Sequence, residues 1–276
     1  MSKIHQTAII HKDVKIGENV EVGPYSIINS KDVVLEDDVI IKSHVYIEGD
    51  VRIGKGSCVW PFASIGTVAQ HINHNNEICH IEIGEYCQIR EYVTINSPMG
   101  DNCKMTIGNK CFIMAYSHIA HNCNLGEGVI MANGATLGGY VQVGKYSFIG
   151  GLSAVHQHVR IGDYAMIGGG SMIGQDVLPY CLGIGYPLKI TGLNVVGLKR
   201  HKFSFEERKS LIKIFRLTFQ SHLTWEEAKE SVRQQIDINS HIQNWIDFCD
   251  HLSKRGFVTY RGRKKDVESY QEVLSI

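Results

Sequence analysis

The chain lacks net charge. Lysine and arginine total 28, and aspartate and glutamate also total 28. A balanced chain has no strong field to draw in a polyanion, which argues against nucleic acid or an anionic membrane as partner. Proline is scarce, with five in 276 residues. No apolar run reaches the roughly 18 residues that a membrane-crossing helix needs, and no secretory leader pattern opens the chain. A cytoplasmic protein without a transmembrane segment is the expectation. The eight cysteines include no Cys-x-x-Cys pair, which argues against a zinc ribbon or a disulfide framework. Cys87, Cys111 and Cys123 read as small apolar wall residues. What the chain has in plenty is glycine, at 28, and histidine, at 14. The histidines are the first sign of acid–base chemistry.

From Ile107 to Val177 the sequence repeats every six residues. Ile107, Ile113, Ile119, Leu125, Met131, Leu137, Val143, Ile149, Val155, Ile161, Ile167 and Ile173 open successive hexads, most of them followed by Gly or Ala. The fifth position is small or β-branched, as at Ser117, Cys123, Ala135 and Val141. A period of six fits neither a helix nor a flat strand. It implies a solenoid in which each coil buries its inner surface against the next. Three hexads close a triangular coil, coils stack at about 4.8 Å, and the small residue after the aliphatic one is expected to let the backbone bend at each corner. The fold class is therefore mainly β: a parallel β-helix, with a helical domain after it.

The repeat starts at Ile4, slips by one residue near Val34, and breaks twice. The breaks, about residues 70–80 and 96–105, are polar excursions, where a regular prism is expected to place function. The expected division is a β-helix over residues 1–190 and a helical domain and tail over 191–276. Repeats end at Pro179, a glycine-rich connector follows over 180–194, and three helices are expected. Ser204 begins the helical period, Thr224 with Glu227 forms a capping box, and Gly256 ends the third helix. The tail from Thr259 is mixed in charge and is expected to be partly disordered.

Within the repeat, Ser117–Cys123 reads SHIAHNC. His121 is the third residue of its hexad, at a corner, and is expected to point outward. Eighteen residues per coil puts Gly139 one coil above it and Gln157 two above. The flanking columns are Asn122, Tyr140 and His158 on one side and Ala120, Gly138 and His156 on the other. A histidine beside stacked glycines pairs a general base with bare N–H groups suited to an oxyanion. His118 is expected to support rather than act. His71, His74 and His80 fall in the first excursion, as solvated or substrate-lining residues. Lys199, Arg200, His201 and Lys202, with Arg208, Lys209, Lys213 and Arg216, make a basic stretch. It reads either as a solvated surface or as a contact for phosphate or an acidic carrier protein.

The motifs IHQTAII, VGPYSII, IKSHVYI, IGEYCQIREYVTI, HIAHNC, GGLSAVHQ, IGQDVLPY and NVVGLKRHKFS together resemble the UDP-N-acetylglucosamine O-acyltransferases that begin lipid A synthesis. The resemblance spans roughly residues 4–255. It implies a left-handed hand for the β-helix and association as a homotrimer with sites between prisms. It also implies transfer of a 3-hydroxyacyl chain from acyl carrier protein to the sugar 3-hydroxyl of UDP-N-acetylglucosamine. The chain would need no metal and no cofactor beyond the carrier's phosphopantetheine. His121 would be the base and the Gly139 N–H the oxyanion contact. His118, Gln70, His156, Gln157 and Arg200 would line the nucleotide or acyl sites, and Gly169 would limit acyl length.

The chain departs from the family at His71, Asn122, Tyr140, His158 and His201, where the family commonly has Asp, Asp, His, Phe and Arg. Asn122 retains an amide oxygen able to orient the imidazole. The departures leave open a related UDP-sugar as acceptor, such as a 3-amino sugar. A metal hydratase of the γ-carbonic-anhydrase type and an inactive scaffold are the other readings. The retained His121 and Gly139 oppose the scaffold, and the acyltransferase motifs oppose the hydratase.

Overall fold

The computed structural model describes residues 2–75, 79–100, 103–251 and 254–260. The tail over residues 261–276 lies outside the described residues, as do parts of both excursions and residues 252–253.

Residues 3–184 wind into a triangular left-handed parallel β-helix. Its first face begins at Lys3–Ile4, its second at Ile9–Ile10 and its third at Lys15–Ile16. Most strands are two residues long. The second residue, the aliphatic one, points into the prism, as with Phe112–Ile113, whose isoleucine is wholly buried. The residue before most strands, such as Cys111 or Ser117, is also buried and forms the inner corner wall. The one-residue slip appears as Lys15 pairing with Val34, an offset of nineteen rather than eighteen, absorbed at the corner in between.

The corners differ from the expected design. The bend lies at the fourth hexad position, where Tyr25, His44, Tyr116, Asn122, Tyr140 and Tyr164 all have φ between 56° and 62°. These are left-handed residues with side chains, an arrangement that normally costs energy. Coil-to-coil hydrogen bonds hold them in place, such as Tyr116 N–H to the Glu91 carbonyl at 3.0 Å and Tyr140 N–H to the His121 carbonyl at 3.0 Å. At the first–second corner the rings of Tyr25, His44, Phe62, Tyr92 and Tyr116 also stack at 4.9–5.2 Å. Glycine after the aliphatic residue serves close approach instead of bending. At the third–first corner a Cβ on Gly126 would lie 2.6 Å from the Lys145 nitrogen of the next coil.

The outer surfaces of the three faces are unlike. Phe112, Ile130, Phe148, Met166 and Leu182 run up the first, and Thr94, His118, Thr136 and Ala154 up the second. The third carries Arg52, Glu82, Lys104, Asn124 and Gln142. Both excursions, residues 68–79 and 97–103, leave from the end of second-face strands, Ser64–Thr67 and Thr94–Asn96. His80 is not in a loop. It opens the third-face strand His80–Ile83, with Asp50 at 2.8 Å and Glu82 at 3.0 Å from its two ring nitrogens.

The connector is a β-hairpin. Cys181–Ile184 continues the first face in parallel with Met166–Ile167 and pairs antiparallel with Lys189–Leu193. Residue 190 therefore falls inside a strand. Four helices follow among the described residues: α1 Val195–Arg200, α2 Phe205–Phe219, α3 Trp225–Gln235 and α4 Ser240–Asp250. Ser204 with Glu207 and Thr224 with Glu227 form capping boxes that satisfy the first N–H groups of α2 and α3. The last helix stops at Asp250, capped by His251, and not at Gly256. The helices sit on the end of the prism through Arg160. Its guanidinium bonds the buried Asp176 at 2.8 Å and donates to the Phe248 and His251 carbonyls. On α2, Lys213 donates to the Gln235 carbonyl and Lys209 lies 3.9 Å from Glu206, so these two members of the basic stretch are already engaged.

Candidate active site

The second–third corner collects most of the predicted residues. Its turns are His121–Asn122, Gly139–Tyr140 and Gln157–His158, and both excursions spring from the same corner lower down. His121 does not project outward. It is 7% exposed, because its ring lies flat over the bare Cα of Gly139 while the first excursion folds over it. A Cβ on Gly139 would sit 2.5 Å from His121 Cε1 and 2.6 Å from Nε2. His71 meets the ring edge-on at 5.4 Å between centroids, and Tyr140 does so at 5.2 Å.

Asn122 fixes the imidazole. The Met99 N–H of the second excursion donates to Asn122 Oδ1 at 3.1 Å, and Asn122 Nδ2 donates to the Met99 carbonyl at 3.0 Å. This pair determines which end of the amide is oxygen. The same Oδ1 is 2.9 Å from His121 Nδ1, so Nδ1 carries the proton there. Nε2, over Gly139, is left with its lone pair and is the atom able to accept a proton.

The Gly139 N–H donates to nothing among the described residues, whereas its carbonyl accepts from His158 N–H at 3.0 Å. The third-position N–H is unspent by the coil ladder as a rule. At the third–first corner a side chain from the next coil fills it, as Asp163 does for Lys145 at 3.0 Å. Above Gly139 stands Gln157, whose side chain makes no such bond. One base and one free N–H thus share a corner where no competing side chain intervenes.

His118 lies on the second face, its Nδ1 2.7 Å from Thr94 Oγ1. Burial, reinforced by nearby His121, pushes its pKa down and keeps it neutral. Tyr140 stacks on His158 at 4.8 Å. Burial, then the charges of Lys254 and Arg255, push the His158 pKa down too. His156 and Gln157 are exposed on the upper coil, and the Gln157 carbonyl accepts from Arg255 at 3.1 Å. Gln70 is exposed beside His71, with no bond or ring contact to His121 among the described residues.

Three predicted residues lie elsewhere on the protomer. Gly169 is at the first–second corner, in a turn with Gly170. Arg200 and His201 end α1 at the third–first corner, where the His201 ring packs on Tyr146 at 4.9 Å and Tyr164 at 5.1 Å. They rim a cavity of about 790 Å³ lined by Ile130, Tyr146, Phe148, Met166 and Val196. Asn96 and Met99 join the site without having been singled out from sequence. Asn96 is 3% exposed, and its Nδ2 donates to Thr67 Oγ1 at 3.0 Å and to the Val68 carbonyl at 2.8 Å, tying the roots of the two excursions together. The sequence offered no distinguishing sign for Asn96, since Asn29, Glu36, Lys42, Glu48 and Arg90 are likewise polar after the aliphatic residue. Among the described residues no group of three His, Cys, Asp or Glu could hold a metal ion, and no helix is long and apolar enough to cross a membrane.

Residues 176–258 match the family model described as Udp N-acetylglucosamine O-acyltransferase, domain 2. Residues 32–67 and 100–139 match the bacterial transferase hexapeptide model. A relative named acyl-[acyl-carrier-protein]--UDP-N-acetylglucosamine O-acyltransferase from Chlamydia caviae is 44% identical over 220 residues, 80% of this chain and 78% of the relative. One of the same name from Campylobacter concisus is 40% identical over 194 residues, 69% of this chain and 74% of the relative. The chain belongs to this acyltransferase family. The solved LpxA of Acinetobacter baumannii superimposes with a TM-score of 0.88 at 35% identity, covering 92% of this chain and 99% of that one. The UDP-N-acetylglucosamine acyltransferase of Campylobacter jejuni gives the same TM-score at 35% identity, over 94% and 100% of the two chains. These acyltransferases match the β-helix and the helices together, since the coverage extends past the prism.

Proposed function

We propose that this acyltransferase moves a 3-hydroxyacyl chain from acyl carrier protein to the 3-hydroxyl of UDP-N-acetylglucosamine, the step that opens lipid A synthesis. The observation that carries the mechanism is the free lone pair of His121 Nε2 against the unspent N–H of Gly139. The acceptor oxygen attacks the thioester carbonyl as His121 Nε2 takes its proton. The carbonyl oxygen becomes an oxyanion, which the Gly139 N–H holds. Collapse expels the pantetheine thiolate, which takes the proton back from the imidazolium and leaves as thiol. Asn122 keeps Nδ1 protonated throughout. His118 stays neutral and donates or accepts beside the reacting atoms. Gln70, His71, Tyr140, His156 and Gln157 line the acceptor and acyl channel. No metal or further cofactor enters, and the reaction needs none.

The polarity of the faces supports a homotrimer. A closed threefold ring joins two different surfaces of each copy. Above the excursions the first and second faces turn apolar and neutral side chains outward, while charge gathers on the third at Arg52, Glu82 and Lys104, the Lys3–Glu21 pair at the base of the first face apart. If first face meets second face, the corner between them points at the axis, and there the exposed rings of Tyr25 and Tyr116 are 61% and 64% accessible. The His121 corner of one copy then stands opposite the Arg200 and His201 corner of the next, with Gly169 deeper toward the axis. This unites the three corners in one cleft, with Arg200 and His201 aimed at the nucleotide or the carrier arm and Gly169 at the acyl end. The division near residue 190 then separates the prism that does the chemistry from helices that meet the carrier.

The test is an activity panel of 3-hydroxyacyl carrier proteins of several lengths against UDP-N-acetylglucosamine and its 3-amino analogue. Ester formation with the 3-hydroxyl sugar is expected. Amide formation with the amino sugar alone would replace the acceptor assignment, and hydration of carbon dioxide without acyl transfer would overturn the class.

A further inference from the structure

The second excursion does more than border the cleft. Its Met99 backbone makes a two-point pair with the Asn122 amide, and the oxygen of that pair is the atom that faces His121 Nδ1. The excursion is itself rooted. Ser97 N–H donates to the Thr67 carbonyl at 2.7 Å, and Asn96 Nδ2 reaches the Thr67 and Val68 carbonyls at the root of the first excursion. The first excursion returns to the same imidazole through His71. Hydrogen bonds and backbone therefore connect Thr67, Asn96, Met99, Asn122 and His121, and a ring contact adds His71.

A carboxamide has one donor end and one acceptor end, and nothing in its own shape prefers either orientation. At position 122 the choice is made by Met99, whose N–H must face oxygen and whose carbonyl must face NH2. Left alone, the amide is able to turn and offer His121 a donor, which reverses the imidazole tautomer and places the proton on Nε2. We propose that the Met99 backbone is a positioning element of the reaction, because by keying the Asn122 amide it holds the His121 proton on Nδ1 and couples the seating of the second excursion to the readiness of the base. The inference rests on His121 acting as base, but the tautomer and the loop can be measured without any substrate.

Two substitutions separate the parts. Asn122 has φ +58°, which glycine adopts freely, so Asn122→Gly removes the amide without backbone strain. Asn122→Asp keeps an acceptor for Nδ1 but sets a second oxygen against the Met99 carbonyl. The probes are 15N shifts of histidine-labelled full-length protein, assigned by the signal lost in His121→Gln, and limited proteolysis at residues 97–100. In the unaltered protein Nδ1 is expected to be the protonated nitrogen and the loop protected. Asn122→Gly is expected to lose both, with kcat down roughly 10- to 100-fold and KM for the UDP-sugar little changed. Asn122→Asp is expected to keep the Nδ1 proton and lose loop protection. The inference is overturned if the Gly variant retains the Nδ1 tautomer, or if the Asp variant keeps its loop as protected as the parent. An unaltered protein with the expected tautomer but no acyl transfer would sink the functional reading and leave this one standing.

Discussion

A single methyl group at Gly139 decides whether the base has room. Gly139→Ala would place carbon 2.5 Å from His121 Cε1, against a ring that Asn122 and His71 leave little freedom to move. Turnover is expected to fall by about 10² or more, while the melting temperature shifts by only ~2–4 °C, because the residue lies outside the prism core. His121→Ala should cost on the order of 10²–10⁴ in turnover, as for a lost general base. Steady-state kinetics beside a melting curve checks both, and activity within a few-fold of the parent in either variant rejects the corner as the reacting centre. This pair was legible in the sequence, since an 18-residue coil puts Gly139 above His121 by counting alone. The burial of His121 was not. It depends on His71 folding back from the first excursion, and a non-repeating loop has no period from which to compute its path. Gly169 shows the opposite limit: it keeps perfect register with the repeat and yet sits on another corner, because position within a coil selects the corner, not the neighbour across a subunit boundary.

Among the elements, the third face carries the densest cluster of charge among the described residues. His80 bridges Asp50 and Glu82, with Arg52 and Lys104 around the same carboxylate. Burial opposes its charge, but the bonds to Glu82 and Asp50 outweigh it and raise the pKa above its ordinary 6.5. A raised folded value means that stabilisation is fully present below the unfolded pKa and is lost as pH rises through the folded one. The melting-temperature gap between the parent and His80→Gln should therefore be widest below about pH 6 and close as pH climbs. A gap that is flat across the range would show that His80 serves only by packing. The link between prism and helices is a second element-scale device. Arg160→Ala would leave the Asp176 carboxylate buried without its guanidinium, and about 3–5 kcal/mol of stability should go with it, read as the shift of a urea unfolding midpoint. A loss under about 1 kcal/mol would mean the helices dock independently of this pair. The capping boxes at Ser204 and Thr224 were visible as spaced residue pairs. The hairpin over residues 181–193 was hidden, because its glycines read as linker and its pairing partner is the last regular coil, a tertiary fact.

At the scale of the molecule, the proposed trimer makes each site a joint product of two copies. Light scattering is expected to give about three times 30.9 kDa. Mass alone does not say which corners meet, whereas mixed assemblies do. Copies bearing His121→Gln lack the base, and copies bearing Arg200→Glu lack the facing cation. If each cleft takes His121 from one copy and Arg200 from the next, a random one-to-one mixture regains both in roughly one cleft in four. Two individually inactive proteins should then recover about a quarter of parental activity when co-expressed. Mixing His121→Gln with Gly139→Val is the control, because both lesions fall on one corner of one copy and no arrangement restores it. Recovery in the first mixture and none in the second is the expected pattern. No recovery in either would place Arg200 outside the cleft, and recovery in both would mean that the base and the oxyanion contact come from different copies, against the contact between His121 and Gly139 within the protomer.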